Sequence, residues 1–408
     1  MLPFHRRAKE LVAVVFVSSL TPPPPPKTSA FQNLVALPHR LFFFAGVVQG
    51  LFFISLLGLG YTGLIALPLS TGIYHVYALA YAVFTQFFIG FLLTTFPRYL
   101  SRPNASKESY IPIAGLINSG AILVVPISYI TSQAVLIPML LIFVGYAKFY
   151  LILVDFQKKS KVSSKTDTAW MLSAFSFGGF GQLLFMLDLF VPLYPLALGV
   201  TFYMYLFLLI MIVSQKMIPF FTANRIAGYV VTKSRFFIPL LALFLGLKVV
   251  LETFHLSSLL ANAALFWLIF VELLRWKLPF RKAPPILWVL FLALWWAPIG
   301  FGLWVLEAIF PHVSFEKVAF HALALGYFTT VLIGFGTRII LGHSGRTPSA
   351  DGYATALFVL IQLMVLTRLL AGFLGGVGYV HLIVTSAGLW IVIFGLWSKR
   401  YIHMLFEK

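Results

Sequence analysis

The sequence predicts an all-α, polytopic bundle of about twelve transmembrane helices with both ends in the cytoplasm, and three observations lead there. Apolar residues make up 61% of the 408 and charged residues only 10%, against roughly half and a quarter in a soluble domain. So little polar surface cannot keep a globule of this size dissolved. Apolar runs recur along almost the whole chain, each near the ~20 residues that cross a ~30 Å hydrocarbon core as helix. Basic residues gather in alternate gaps between those runs, which is the pattern of the positive-inside bias.

Taken in order, residues 1–37 read as a disordered, basic and proline-rich cytoplasmic tail. Arg6, Arg7, Lys9 and Lys27 supply its charge, and Pro22 to Pro26 supply a polyproline stretch that cannot join a helix. A signal peptide over the apolar residues 11–20 is the weaker alternative, because prolines follow with no A-x-A-like cleavage site. One membrane domain then covers 38–400, followed by a short cytoplasmic tail at 401–408. Its spans fall near 41–67, 73–96, 111–130, 134–155, 169–189, 193–213, 236–253, 257–276, 286–306, 318–341, 354–374 and 379–398. Lipid offers no partner to a peptide group, so each run must be helical. Short hairpins at 190–192 and 375–378 leave the count open by one.

With the N-terminus inside, the inner segments are the first tail, the loops near 97–110, 156–168, 214–235, 275–285 and 338–353, and the last tail. They hold 25 of the 29 Lys and Arg residues. Of the other four, Lys148, Lys248, Lys317 and Arg368, only Lys317 belongs to an outer segment. The net charge of +18 is therefore a topology signal spread over loops, not the single basic stripe of a nucleic-acid-binding surface. The chain has no cysteine, which excludes disulfides, thiolate-held metals and iron–sulfur clusters. Any metal must rely on His, Met, carboxylate or backbone oxygen.

Few polar groups lie within the spans. Lys248 and Glu252 stand one helical turn apart in the seventh span, close enough to neutralise one another. Asp188, Lys148 and Arg368 are the other intramembrane charges, and such groups are functional by default because burying them is costly. Gly46 and Gly50 form a GxxxG in the first span, which suits close helix packing. The residues assemble no hydrolase triad, voltage-sensor helix, selectivity filter or chain of acids.

Histidine is the informative residue. His75 opens the second span and His321 opens the tenth, so both sit near the outer surface on different helices. Two neutral imidazoles so placed can bracket one haem or share a copper ion. The bland reading of an interfacial histidine is an amphipathic residue at headgroup depth. His255, His312 and His381 share that outer level, and His39 and His343 lie at the inner one. His343 follows His321 by 22 residues, or roughly 33 Å of continuous helix, so the two cannot hold one metal. Arg338 and Arg346 flank His343 and can receive an anion such as a haem propionate, or simply meet anionic headgroups.

The stretch from His321-Ala322-Leu323 and Leu325-Gly326 to Thr337-Arg338 and Leu341-Gly342-His343-Ser344-Gly345-Arg346 resembles the signature of the NnrS family. These are twelve-span haem–copper proteins of the bacterial inner membrane, linked to nitric-oxide stress. Three further stretches fit in order: Pro38-His39-Arg40-Leu41-Phe42-Phe43, Gly90-Phe91-Leu92-Leu93-Thr94 with Pro97, and Met217-Ile218-Pro219-Phe220-Phe221-Thr222. The family usually opens its second span Trp-His-Ala-His-Glu-Met; here Tyr74-His75-Val76-Tyr77-Ala78-Leu79 stands. The first imidazole is kept, while tyrosine and alanine replace the second histidine and the glutamate. The resemblance implies a divergent member that binds haem, and possibly copper, through His75, His321 and His343, with Arg338 and Arg346 as cofactor contacts. It also implies nitric oxide or a metal–nitrosyl species as the partner met in the bilayer, and no nucleic acid. A twelve-span secondary transporter is the alternative, although no six-plus-six repeat is evident; a membrane oxidoreductase is a weaker one.

Overall fold

The computed structural model describes residues 29–407. These fold into thirteen helices and no strand: α1 (Ala30–Leu34), α2 (Pro38–Tyr61), α3 (Gly72–Tyr99), α4 (Lys107–Ser128), α5 (Gln133–Lys159), α6 (Thr166–Leu187), α7 (Tyr194–Ala223), α8 (Phe237–Thr253), α9 (Leu259–Trp276), α10 (Pro285–Ile309), α11 (Val318–His343), α12 (Gly352–Leu374) and α13 (Gly376–Tyr401). Helices α2 to α13 are the twelve expected spans. Eleven are long and apolar enough to cross a membrane. The exception, α8, has 17 residues and rises only ~25 Å. The first and last described segments meet at one rim, where the Asn33 amide donates to Phe406 O at 3.0 Å. Ends that share a rim require an even number of crossings, which counts α8 as the twelfth.

Two expected boundaries moved. Helix α2 stops at Tyr61 rather than near 67, because Gly63 adopts φ +75° and turns the chain out of the helix. Helix α7 runs ten residues past its expected end at 213, through Lys216 and Pro219. Apolarity fades there, but Lys216 is paired with Asp167 at 2.6 Å, so its charge does not end the helix.

Both expected tails are partly built into the fold. Residues 1–28 lie outside the described residues. Residues 29–37, expected as tail, carry α1, closed by a capping box in which Ser29 and Gln32 bond reciprocally. At the other end Ile402–Phe406 form a 3₁₀ turn with Met404 and Leu405 buried. Arg40 donates from Nη1 to the carbonyls of Asn33, at 3.3 Å, and of Glu407. Arg346 closes the clasp on the Glu407 carboxylate at 2.9 Å. Contacts of the same kind join the other expected inner segments, with Ser160 bonded to Leu100 O and Tyr229 to Trp276 O. This is the basic rim.

The interior of the bundle is made by every fourth span. Helices α3, α7 and α11 are 83%, 89% and 72% buried over their apolar windows, against 33–61% for the other candidate spans. They alone among the described helices contain wide, i→i+5 bonded turns: Gly72–Tyr77 and Leu79–Phe84 in α3, Val200–Phe207 in α7, Ala322–Thr329 in α11. Threonine hydroxyls brace these turns by reaching carbonyls five residues back. Thr85 bonds Ala80 O, Thr329 bonds Ala324 O and Thr330 bonds Leu325 O, at 2.8 to 3.1 Å. Such turns cost regular hydrogen bonding and re-aim side chains, and they concentrate at functional sites. Around this centre the GxxxG of α2 packs as expected: a Cβ on Gly50 would stand 2.7 Å from Trp390 of α13, which brings the first and last spans together.

Candidate functional site: two imidazole pairs at the two ends of one helix

Helix α11 carries a histidine at each end, and each meets a histidine from another helix. At the rim away from the basic loops, His321 faces His75 of α3. The ring centroids are 6.0 Å apart and the planes lie 19° from parallel. At the basic rim, His343 packs on His39 of α2 with centroids at 4.4 Å and planes at 32°.

The first pair lines a cavity of about 390 Å³, within the size range of cofactor sites. Its floor is a second, apolar chamber that the same two histidines share with Phe202, Phe328 and Trp390. Local backbone sets each ring. His75 sits inside the wide turn Gly72–Tyr77, and its Nδ1 is buried without a partner. His321 is the last residue of the short α-helical turn before Ala322–Thr329. Its Nδ1 lies 2.8 Å from Lys317 O, so Nδ1 carries the proton and Nε2 keeps its lone pair for the cavity. Lys317 begins this helix in a left-handed conformation, φ +55°, which turns the loop sharply into α11.

Arg368 of α12 lines the same cavity. It is 7% exposed, and its Nη1 is buried with no hydrogen-bond partner. Close approach of α12 to the start of α11 puts it there: Gly372, one turn on, lies against Val318 and the Glu316 carbonyl, where any Cβ would collide. Leaving a buried charge unpaired costs roughly 3–5 kcal/mol. Glu316 lines the cavity too but makes no ion pair with Arg368.

The second pair is built differently. His39 is 1% exposed, sits in the first turn of α2 after Pro38, and lies edge-on to Phe43 at 6.2 Å. Its Nδ1 is buried without a partner. Arg40 and Arg98 are the cations closest in effect to the pair; Arg40 is engaged by two carbonyls and Arg98 is exposed, while Arg346 binds Glu407. Arg338 lies over the Phe221 ring at 4.0 Å. Neither Arg338 nor Arg346 bonds to His343; each has another partner. His321 and His343 are at opposite ends of α11, which divides the expected ligands His75, His321 and His343 between two places.

Other expectations resolve as follows. Lys248 and Glu252 do pair, at 2.5 Å, with the buried ammonium over Trp304 at 3.9 Å. His255, His312 and His381 are exposed and join no pair. Tyr77, where the family usually has its second histidine, turns away from the cavity. Its ring packs on Tyr81 at 5.0 Å and Phe185 at 5.6 Å, and its hydroxyl reaches Met139 O at 3.5 Å. That position serves an aromatic core, not the imidazole pair. Among the described residues no three His, Asp or Glu side chains gather as a metal cage. Two residues escaped sequence reasoning. His39 was visible only as part of a motif, and Arg368 only as a charge in an apolar run; neither could be joined to its partner without the fold.

These features define a polytopic α-helical membrane protein with a two-imidazole cavity set between its central helices. Residues 33–408, nearly the whole chain, match the profile of the family described as NnrS protein. The chain belongs to that family. No curated protein matches it.

Proposed function

We propose that this protein binds haem through His75 and His321 in the bacterial inner membrane and acts in the response to nitric oxide. The observation that carries the reading is the imidazole pair itself. The two rings line one cavity with their centroids 6.0 Å apart and would hold a haem iron through imidazole nitrogen. Nε2 of His321 is free, and His75 makes no hydrogen bond through either nitrogen. Aromatic walls from Phe202, Phe320 and Trp390 suit the faces and edges of a porphyrin. Copper fits less well. A copper ion in nitrogen and oxygen surroundings takes a tetragonal set of donors, and among the described residues no third His, Asp or Glu gathers with either pair.

The Lys317 carbonyl fixes the orientation of His321, and the wide turns of α3 and α11 aim both rings into one space. When bound, haem would supply an iron that exchanges single electrons, and that takes up nitric oxide only where one of the two imidazoles gives way to it. The apolar chamber beneath the histidines excludes water from that space and admits a small uncharged gas from the lipid. Protein purified after expression with ample haem is expected to show a Soret band that His75→Ala and His321→Ala each abolish or shift. A colourless wild type, or spectra indifferent to both substitutions, overturns the proposal. Counterflow of a solute in proteoliposomes without any chromophore would favour the transporter instead.

A further inference from the structure

The cavity contains a cation that the protein itself leaves without an anion. Arg368 is buried in a membrane-spanning helix, its Nη1 has no partner, and no carboxylate of the described residues forms an ion pair with it. Tyr379 has its ring 5.8 Å from the guanidinium carbon and its hydroxyl within reach of the group, and Glu316 acts on it from a distance without forming an ion pair; neither meets Nη1. An arginine in a span ordinarily snorkels to the interface or pairs. Arg368 does neither, and Gly372 holds it in place by letting α12 close onto Glu316 and Val318. The remaining wall of the cavity is largely apolar or aromatic, with Leu57, Tyr194, Phe202, Ile383 and Trp390 among its residues. A free inorganic anion would waste that surface. The space asks for an amphipathic ligand, apolar in bulk and carrying an oxyanion at one edge. A guanidinium fork matches a carboxylate with two parallel hydrogen bonds.

We infer that Arg368 receives a carboxylate of the ligand held between His75 and His321. This rests on the haem reading and names the residue that orients the cofactor. Arg338 and Arg346, the expected anion receptors, are at the other rim and already engaged. In this assignment Arg368 is a positioning residue. It sets which edge of the macrocycle points to the far rim, and it prefers a ligand with ionised propionates over one without.

The test titrates the purified full-length protein with haem and with haem dimethyl ester, in which the propionates are uncharged, and reads the Soret band. Wild type is expected to bind the free acid at least tenfold more tightly than the ester. Arg368→Gln should lose that preference by weakening only the acid, and Arg368→Lys should keep part of it. Equal binding of acid and ester by wild type overturns the inference and leaves the haem reading intact. If neither compound binds wild type, both fall. If Arg368→Gln retains the full preference, the carboxylate lies elsewhere and the inference is wrong. Should that variant bind neither compound because it misfolds, the wild-type contrast and Arg368→Lys decide the matter. A wild type indifferent to esterification, whose Arg368→Gln variant loses co-purifying phosphatidylglycerol, would assign the cavity to a lipid headgroup and overturn the carboxylate claim.

Discussion

The two ends of α11 present the same residue pair in opposite conditions. At the far rim His75 and His321 stand 6.0 Å apart over an open cavity, with an unpartnered imidazole nitrogen and one unpartnered guanidinium nitrogen beside them. At the basic rim the rings of His39 and His343 are 4.4 Å apart by centroid, and Arg40, Arg346 and Arg338 of that rim are bound to carbonyls, a carboxylate and a ring. Proximity of two histidines is common to both and so distinguishes nothing. Each pair also holds a buried imidazole nitrogen without a partner, Nδ1 of His75 and Nδ1 of His39; the cavity, and the orphaned Arg368 Nη1 in its wall, distinguish the first as a place for a ligand. The second has the character of a structural joint between the first and tenth spans.

The largest expected effect tests that distinction directly. His39→Ala and His343→Ala should leave the affinity for haem within about twofold while lowering thermal stability in detergent. For the fully buried His39 the loss should approach the ~3 kcal/mol of a large-to-small core substitution. Haem lost in these variants but retained in His75→Ala and His321→Ala would reverse the comparison. Gly372→Val should come next. A branched side chain there forces α12 away from Glu316 and Val318, at ~1–3 kcal/mol of overpacking, and withdraws Arg368 from the cavity. Haem affinity should fall several-fold, whereas the same substitution at Gly388, where an added Cβ meets nothing, should be neutral.

The smallest effect belongs to the clasp at the basic rim. The hydrogen bond from Arg346 holds the Glu407 carboxyl below its usual range. A carboxyl whose folded value is depressed contributes stability above its unfolded value, and that contribution fades as pH falls through the folded one. Melting curves of wild type and Glu407→Gln should therefore differ slightly at neutral pH and converge in acid below about pH 4.5. Curves that coincide at every pH would assign the clasp to the backbone carbonyl alone.

Much of this architecture was legible in the residues, and the reasons are physical. Lipid imposes a length and an apolarity on each span, so runs such as 286–306 announced α10 to within a few residues. The wide turns were not legible, because a buried helix is apolar all round whether its bonds reach back four residues or five. His75 and His321 could be placed at one level because their spans begin there. The partner of His343 could not be found, since His39 comes from the other end of the chain and meets it only once α2 and α11 both pack on α3. Arg368 stood out as a charge in an apolar run. The direction it faces is set by Gly372, whose meaning depends on a neighbour that hydropathy does not reveal.

The closure of α13 onto α2 has a consequence for how the molecule is made. Trp390 seats on Gly50, and the residues after it grip Asn33 and Arg40, so the opening span waits through the synthesis of all the others for its flank to be covered. The circle shuts with the 3₁₀ turn that follows α13, and truncation before Met404 should leave the twelve spans inserted with an unsealed seam.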